Sequence, residues 1–250
     1  MFKLALKSLV HYWRLNVCLM FGVFLASAVL TGSLVVGDSV RATLAEQGML
    51  RVGKIDQALL GGDRFFTAEM ASRAREKLGS SALVSPAILA LGTARVEDGS
   101  LRANRVQIIG VEDSFWEMAD TDNPAAPRGE FIAVNEALAR RLELGVGGDI
   151  RLQTEKPGDV PRDAPLAGSV EGNTNAARFS GAVTHVISDS QLGRFSLQAE
   201  QESALNVFLP IAAVQKEIEQ EGRANLILIS GVEDASAALE AAWGLDDAAL

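Results

Sequence analysis

The chain is short of the residues that staple, ligate and stack. Of its 250 residues one is cysteine, two are histidine and one is tyrosine. A lone cysteine, Cys18, excludes an internal disulfide framework, and His11 has no second histidine or cysteine at metal-ligand spacing. Neither a metal site nor a cofactor is expected. Basic charge is scarce too: 23 Lys and Arg face 32 Asp and Glu, for a formal net charge of -9. Lys3, Lys7 and Arg14 are the only charges in residues 1–14, so the remainder carries -12, a poor surface for nucleic acid. A GxxxxGK[ST] loop is missing, so ATP hydrolysis would have to come from another chain. The glycines of residues 145–148 precede a strand pattern instead of opening a helix, which excludes a dinucleotide fingerprint. His185, Ser188 and Asp189 are triad residue types without a nucleophile elbow, and adjacency in sequence does not assemble a triad. Glu171, Glu200 and Glu202 read as solvated carboxylates. The chain is therefore not expected to be an enzyme.

What the sequence does hold is one long apolar run. Residues 15–37, LNVCLMFGVFLASAVLTGSLVVG, contain no charge. As a helix, Val17 to Val36 would extend about 30 Å, the hydrocarbon thickness of a bilayer. The basic flank before the run and the balanced flank after it (Asp38, Arg41, Glu46, Arg51) place the N-terminus in the cytoplasm and everything from Asp38 onward outside. Ala26, Ser27 and Ala28 also fit a leader-peptidase site, but the apolar run continues past them. Gly22, Ala26, Ser33 and Gly37 fall within about 60° of one another on a helical wheel, a face on which a second helix could approach closely. Residues 1–14 carry Leu6, Leu9, Val10 and Trp13 at helical spacing among basic residues, the pattern of an interfacial amphipathic helix or of a cytoplasmic extension of the span. Residues 38–50 continue as a helical stalk ending at Gly48 or Gly53.

Residues 51–250 alternate short strand and helix signals. A strand over residues 55–60 precedes a helix capped by Thr67 and stopped by Gly79. A hairpin pairs residues 87–96 with 101–111 around Asp98 and Gly99, and Arg102, Asn104, Val106, Ile108 and Gly110 share one parity. Residues 120–128 form a loop in which Asp120 and Asp122 lack the rest of a calcium motif. Phe131 to Val134 is a strand, Asn135 caps a helix bearing Leu138 and Leu142, and Asp149 to Gln153 is the next strand. Residues 155–180, rich in Pro and Gly, read as an exposed loop. Strands follow at 182–187, 206–209 and 226–229. Helices open at Pro210 and Asp234.

After the basic amphipathic start come LTGSLVVGDSVRATL, FIAVNEALARRLELGVGGDIRL, GAVTHVI and NVFLPIAAVQ, and this order resembles the MacB/FtsX/LolC-like class of ABC transporter permeases. Within them Asn135, Glu136, Gly145, Gly148, Asp149 and Pro210 match fold-signature positions, not catalytic ones. The resemblance implies an α+β fold: one N-terminal transmembrane helix, then a two-lobed mixed α/β extracytoplasmic domain. Lobe one would join residues 51–122 to 206–250, and lobe two would span about 129–202. It also implies partners: the bilayer, remaining permease helices, a separate cytoplasmic ABC ATPase and a second permease subunit. No later run approaches the ~20 residues of a further span, so the chain reads as the N-terminal part of such a permease. A tethered or secreted binding module that works without ATP is the alternative.

Overall fold

The computed structural model describes residue 7 and residues 10–119, 126–157, 176–198 and 202–248. Much of the amphipathic start, the Asp120 and Asp122 turn, Glu171, Glu200 and the middle of the Pro-rich stretch lie outside the described residues. The chain divides into two units, residues 1–48 and residues 49–250.

Among the described residues, the long element of the first unit is a helix that runs on past residue 48. Helix α1, Trp13–Val52, contains no proline and no charge between Arg14 and Asp38, so nothing in it breaks the backbone ladder. Its segment Trp13–Thr43 holds an 18-residue stretch with a mean hydropathy of 2.2, none of it buried, so the segment is long and apolar enough to cross a membrane. The helix runs through Gly48 and stops at Gly53, whose φ of 57° is the left-handed C-terminal cap. An interior glycine costs about 1 kcal/mol, too little to end a helix with good formers on both sides.

The second unit is built on one sheet. Its strands are β1 (Gln57–Leu60), β3 (Leu83–Val96), β4 (Arg102–Val111), β5 (Ala133–Asn135), β6 (Asp149–Glu155), β7 (Ala176–Ala182), β8 (His185–Ile187), β9 (Asn206–Pro210) and β11 (Leu226–Ser230). The order is β1-β11-β3-β4-β9-β5-β8, with β6 and β7 branching from β3. β4–β9 and β5–β8 are parallel and the other pairs antiparallel. β2 (Phe66–Thr67) and β10 (Arg223–Ala224) make a separate ribbon. Helices α2 (Glu69–Leu78), α3 (Asp113–Trp116), α4 (Glu136–Arg141), α5 (Ile211–Glu217) and α6 (Ser236–Ala242) cover the faces. The α+β class with one N-terminal apolar helix is what the structure has.

Strand β3 is long enough to serve two partners on one edge. Residues 83–87 pair with β11 and residues 92–96 with β6, while β4 occupies the other edge. Ranges assigned to the two lobes are thus hydrogen-bonded to each other at β3–β6 and β9–β5. At the handover Gly92 lies so close to β6 that a Cβ would meet the Gln153 carbonyl oxygen.

The parity expected for β4 is corrected here. Val106 faces Gly92 and Asn104 faces Thr93, so Arg105, with φ 55°, is an extra bulged residue. One inserted residue swaps the faces: Ala103 joins Val106 and Ile108 in the core, and Arg102 and Asn104 turn outward. Several other boundaries shift. Ala68, not Thr67, stands at the N-cap of α2, because the Thr67 hydroxyl is engaged by Asp247. The strand predicted over 182–187 is two strands, and the Pro-rich stretch predicted as loop from 155 ends in β7, which pairs with β6 along its whole length.

Three apolar clusters result. One lies under α4 and α5 around Ile108, Leu138, Ile150 and Val214. A second, around Phe115, Trp116, Phe195 and Phe208, lies on the opposite side of β4 and β9. The third packs α2 and α6 on β3 and β11 through Met70, Ala74, Val84 and Ile229.

Candidate functional site

The proposed helix-packing face is exposed in full. Gly22, Ala26, Ser33 and Gly37 are all solvent-facing, and a Cβ added at Gly22 or Gly37 would meet nothing. Around Gly22 the missing side chain leaves a shallow groove of about 410 Å³, walled by Leu15, Cys18, Leu19, Val23 and Ala26. Its walls are almost wholly apolar, so its chemistry is that of a surface for another helix or for acyl chains.

The fold-signature positions separate into two places. Asn135 is a fully buried hub. Its Oδ1 accepts from Leu138 N at 3.0 Å, capping α4, and from Asn206 N at 3.2 Å. Its Nδ2 donates to the carbonyls of Gly193 at 2.9 Å and Ala204 at 2.7 Å. Asn206 repeats the motif, with Nδ2 donating to Gly193 O at 3.0 Å and Phe195 O at 2.7 Å. Together the two amides sew Gly193, Phe195 and Ala204 onto the start of α4 and β9. An amide suits the task because it offers acceptor and donors to a backbone that has no strand partner there. Glu136, beside it, is half-buried and makes an i,i+4 pair with the exposed Arg140 at 3.2 Å.

Gly145, Gly148 and Asp149 turn the chain from α4 into β6. Gly148 N donates to Gly145 O at 3.1 Å and Gly148 O accepts from Val183 N at 2.8 Å, so the turn is locked to the far end of β7. A Cβ on Gly148 would meet the Leu144 side chain. Asp149 opens β6 opposite Ala182. Pro210 ends β9 beside Val111 and immediately precedes α5.

Pro210 also borders a cleft that pattern reading did not anticipate. Because β4 and β9 are parallel neighbours, both chains leave the sheet at the same edge, β4 into α3 and β9 into α5. Between these exits lies an open hollow of about 420 Å³. Arg75 from α2 stands on one side, anchored by its Nη2, which donates to Val84 O at 2.5 Å. Glu112 and Asp113 stand on another, and Phe131, Pro210 and Ile211 give apolar wall. Glu112 as a whole is exposed, yet its carboxyl is pushed above the usual range by lost hydration, tempered by the Arg75 charge and reinforced by Asp113.

The triad residue types are not assembled. The His185 ring contacts Thr184 Oγ1 at 2.9 Å, the Ser188 hydroxyl meets Ser190, and Asp189 pairs with Arg194 at 3.4 Å. Among the described residues no group of three or more His, Cys, Asp or Glu could hold a metal ion.

A second buried clasp also lay beyond pattern reading. The Asp247 carboxylate is fully enclosed and accepts from the backbone and hydroxyl of Thr67, from Arg73 and from Gly244 N at 2.8 Å. Its only sequence signal is an acid among apolar residues after a helix.

No family model matches the chain, and no curated protein matches it. Among solved structures it is similar to the periplasmic region of MacB from Actinobacillus actinomycetemcomitans, at 13% identity and a TM-score of 0.40, over 73% of this chain and 82% of that one. It is also similar to the extracellular domain of the noncanonic ABC-type transporter YknZ from Gram-positive bacteria, at 9% identity and a TM-score of 0.41, over 71% of this chain and 78% of that one.

Proposed function

We propose that this chain is the membrane-anchored extracytoplasmic part of an ABC transporter permease subunit, which couples ATPase-driven movements to export or envelope work. The observation that carries the reading is the unbroken course of α1 from Trp13 to Val52. One part of it is apolar and exposed over the length of a bilayer. Its last residue, Val52, packs against the Phe115 cluster, and the next two fix the exit: Lys54 N donates to Met118 O at 2.9 Å, and Gly53 has no room for a Cβ beside Met118 and Leu192. Of the usual sources of a sharp kink, α1 lacks proline and has one adjacent Gly–Ser pair, Gly32–Ser33, across which the helix is continuous, so on this reading it carries a displacement along its axis.

On this reading Lys3, Lys7 and Arg14 hold the N-terminus in the cytoplasm and the domain lies outside the inner membrane. The Gly22 face meets the remaining permease helices, a second permease subunit pairs with this one, and ATP is hydrolysed on a separate cytoplasmic chain. The test is side-specific labelling in a Cys18→Ala background. In intact spheroplasts an impermeant maleimide should label Asp98→Cys at once and Lys7→Cys only after permeabilisation. Equal or reversed labelling overturns the topology. Coupling is read separately: from its native membrane the chain should co-purify with an ATP-hydrolysing subunit, and recovery without one favours a tethered binding module.

A further inference from the structure

The hollow at the carboxyl ends of β4 and β9 has the size and the arrangement of charge of a small-molecule site. Parallel strands that leave a sheet together open a crevice outside their carboxyl ends, the place where open α/β sheets commonly receive ligands. Its volume of about 420 Å³ lies within the range of ligand pockets, between about 300 and 1,000 Å³. Opposite charges line it: the Arg75 guanidinium comes from α2, and Glu112 and Asp113 come from the turn after β4. Among the described residues Arg75 donates one hydrogen bond to the protein, to Val84 O, and its fork carries further N–H donors. The side chain of Phe131, with Pro210 and Ile211, supplies an apolar wall.

We propose that this hollow binds a small zwitterion of the amino-acid type. The ligand carboxylate would meet Arg75, its ammonium would meet Glu112, and its side chain would lie against Phe131 and Ile211. A carboxylate suits a guanidinium fork better than it suits any other side chain, and an ammonium brings Glu112 the counter-charge that its partial burial calls for. Neither an anion nor a cation alone fits both walls, because each would face a like charge across the hollow.

The test uses the full chain in lipid nanodiscs and three probes: L-leucine, its methyl ester, which lacks the carboxylate, and N-acetyl-leucine, which lacks the ammonium. Ligand-observed NMR should show L-leucine binding at least tenfold more tightly than either blocked derivative. Arg75→Gln should remove the preference over the ester, and Glu112→Gln the preference over the acetylated form. Equal binding of all three probes, or no binding of L-leucine at millimolar concentration, overturns the proposal. So does an unchanged preference in both variants. Should Arg75→Gln fail to fold after losing its bond to Val84, the derivatives on the unaltered chain and Glu112→Gln decide the question.

Discussion

Helix α1 and the sheet domain use the same aliphatic and aromatic residues and treat them in opposite ways. In α1, Phe21, Phe24, Leu30 and Leu34 are each about two-thirds exposed, at 65%, 69%, 66% and 71%. In the domain Phe115, Phe195 and Phe208 are at 0%. A sheet buries apolar side chains by folding chain onto chain, whereas none of the segment Trp13–Thr43 of α1 is buried among the described residues. Its apolar surface has to be removed from water by something outside the described residues, by lipid or by further helices, which is the physical content of calling it a span. The difference teaches that hydropathy alone does not locate a core: the most hydrophobic stretch of this sequence contributes none of the domain's packing.

Core truncation sharpens this contrast most. Phe115 makes ring contacts with Trp116 at 5.1 Å, Phe195 at 5.6 Å and Phe208 at 5.8 Å. Phe115→Ala should cost about 3 to 5 kcal/mol in denaturant unfolding of the domain, while Phe24→Ala in α1 should leave that transition in place. Equal shifts for both would break the distinction. Next in size, Leu30→Arg places a charge at the middle of the span, where insertion is penalised by about 3 kcal/mol. The membrane-bound fraction should fall steeply, whereas Val146→Arg, at a position 68% exposed in the domain, should leave it unchanged. Membrane retention by the Leu30 variant would argue against α1 as a span.

Within the domain a smaller contrast separates neighbours. Asn135→Ala strips the half-buried Ala204 carbonyl and two backbone N–H groups of their partner, leaves Gly193 O to Asn206 alone, and should cost about 2 to 3 kcal/mol. Glu136→Ala, one residue on, removes only an exposed pair and should change stability by less than about 0.5 kcal/mol. Chemical denaturation of both variants makes the comparison, and similar losses would show that the hub is not where the stability resides.

The parts legible in the sequence are those whose cause is local. The span needs only an uninterrupted apolar run, the β3–β4 hairpin needs Asp98 and Gly99 at its turn, and the start of α4 needs the side chain of Asn135. What stayed hidden depends on residues far apart along the chain. The bulge at Arg105 has no glycine to announce it, and it appears only when β4 must register with β3 on one side and β9 on the other. Because the bulge swaps the faces of β4, a parity count that was sound over residues 106–111 fails over 102–104. Asn135 was readable as a cap, but its bonds to Gly193, Ala204 and Asn206 were not, since they span up to 71 positions of chain. The cleft beside Pro210 shares this origin: Arg75, Glu112 and Phe131 meet there only because β4 and β9 run parallel.

The smallest effect concerns the acid response of the Asp247 clasp. Burial raises the affinity of this carboxyl for a proton, but the hydrogen bonds from Thr67, Gly244 and Arg73 outweigh it and hold the carboxyl below its ordinary range. The folded state therefore binds that proton less readily than the unfolded chain does. The clasp's contribution is complete above the unfolded-state value, near about 3.9, and is lost as the pH falls through that value and then the lower folded one. Between neutral pH and about pH 5 the carboxylate stays ionised, so this group alone predicts no change there. Asp247→Asn keeps one acceptor oxygen but turns a donor toward Arg73 and Gly244, and should cost about 1 kcal/mol at pH 7. Denaturant curves of the two proteins from pH 7 to pH 3 check this: the gap between them should narrow only below about pH 4. A gap that stays constant down to pH 3 would mean that packing of α6 against α2, through side chains such as Met70 and Ala242, holds the segment without help from the charge.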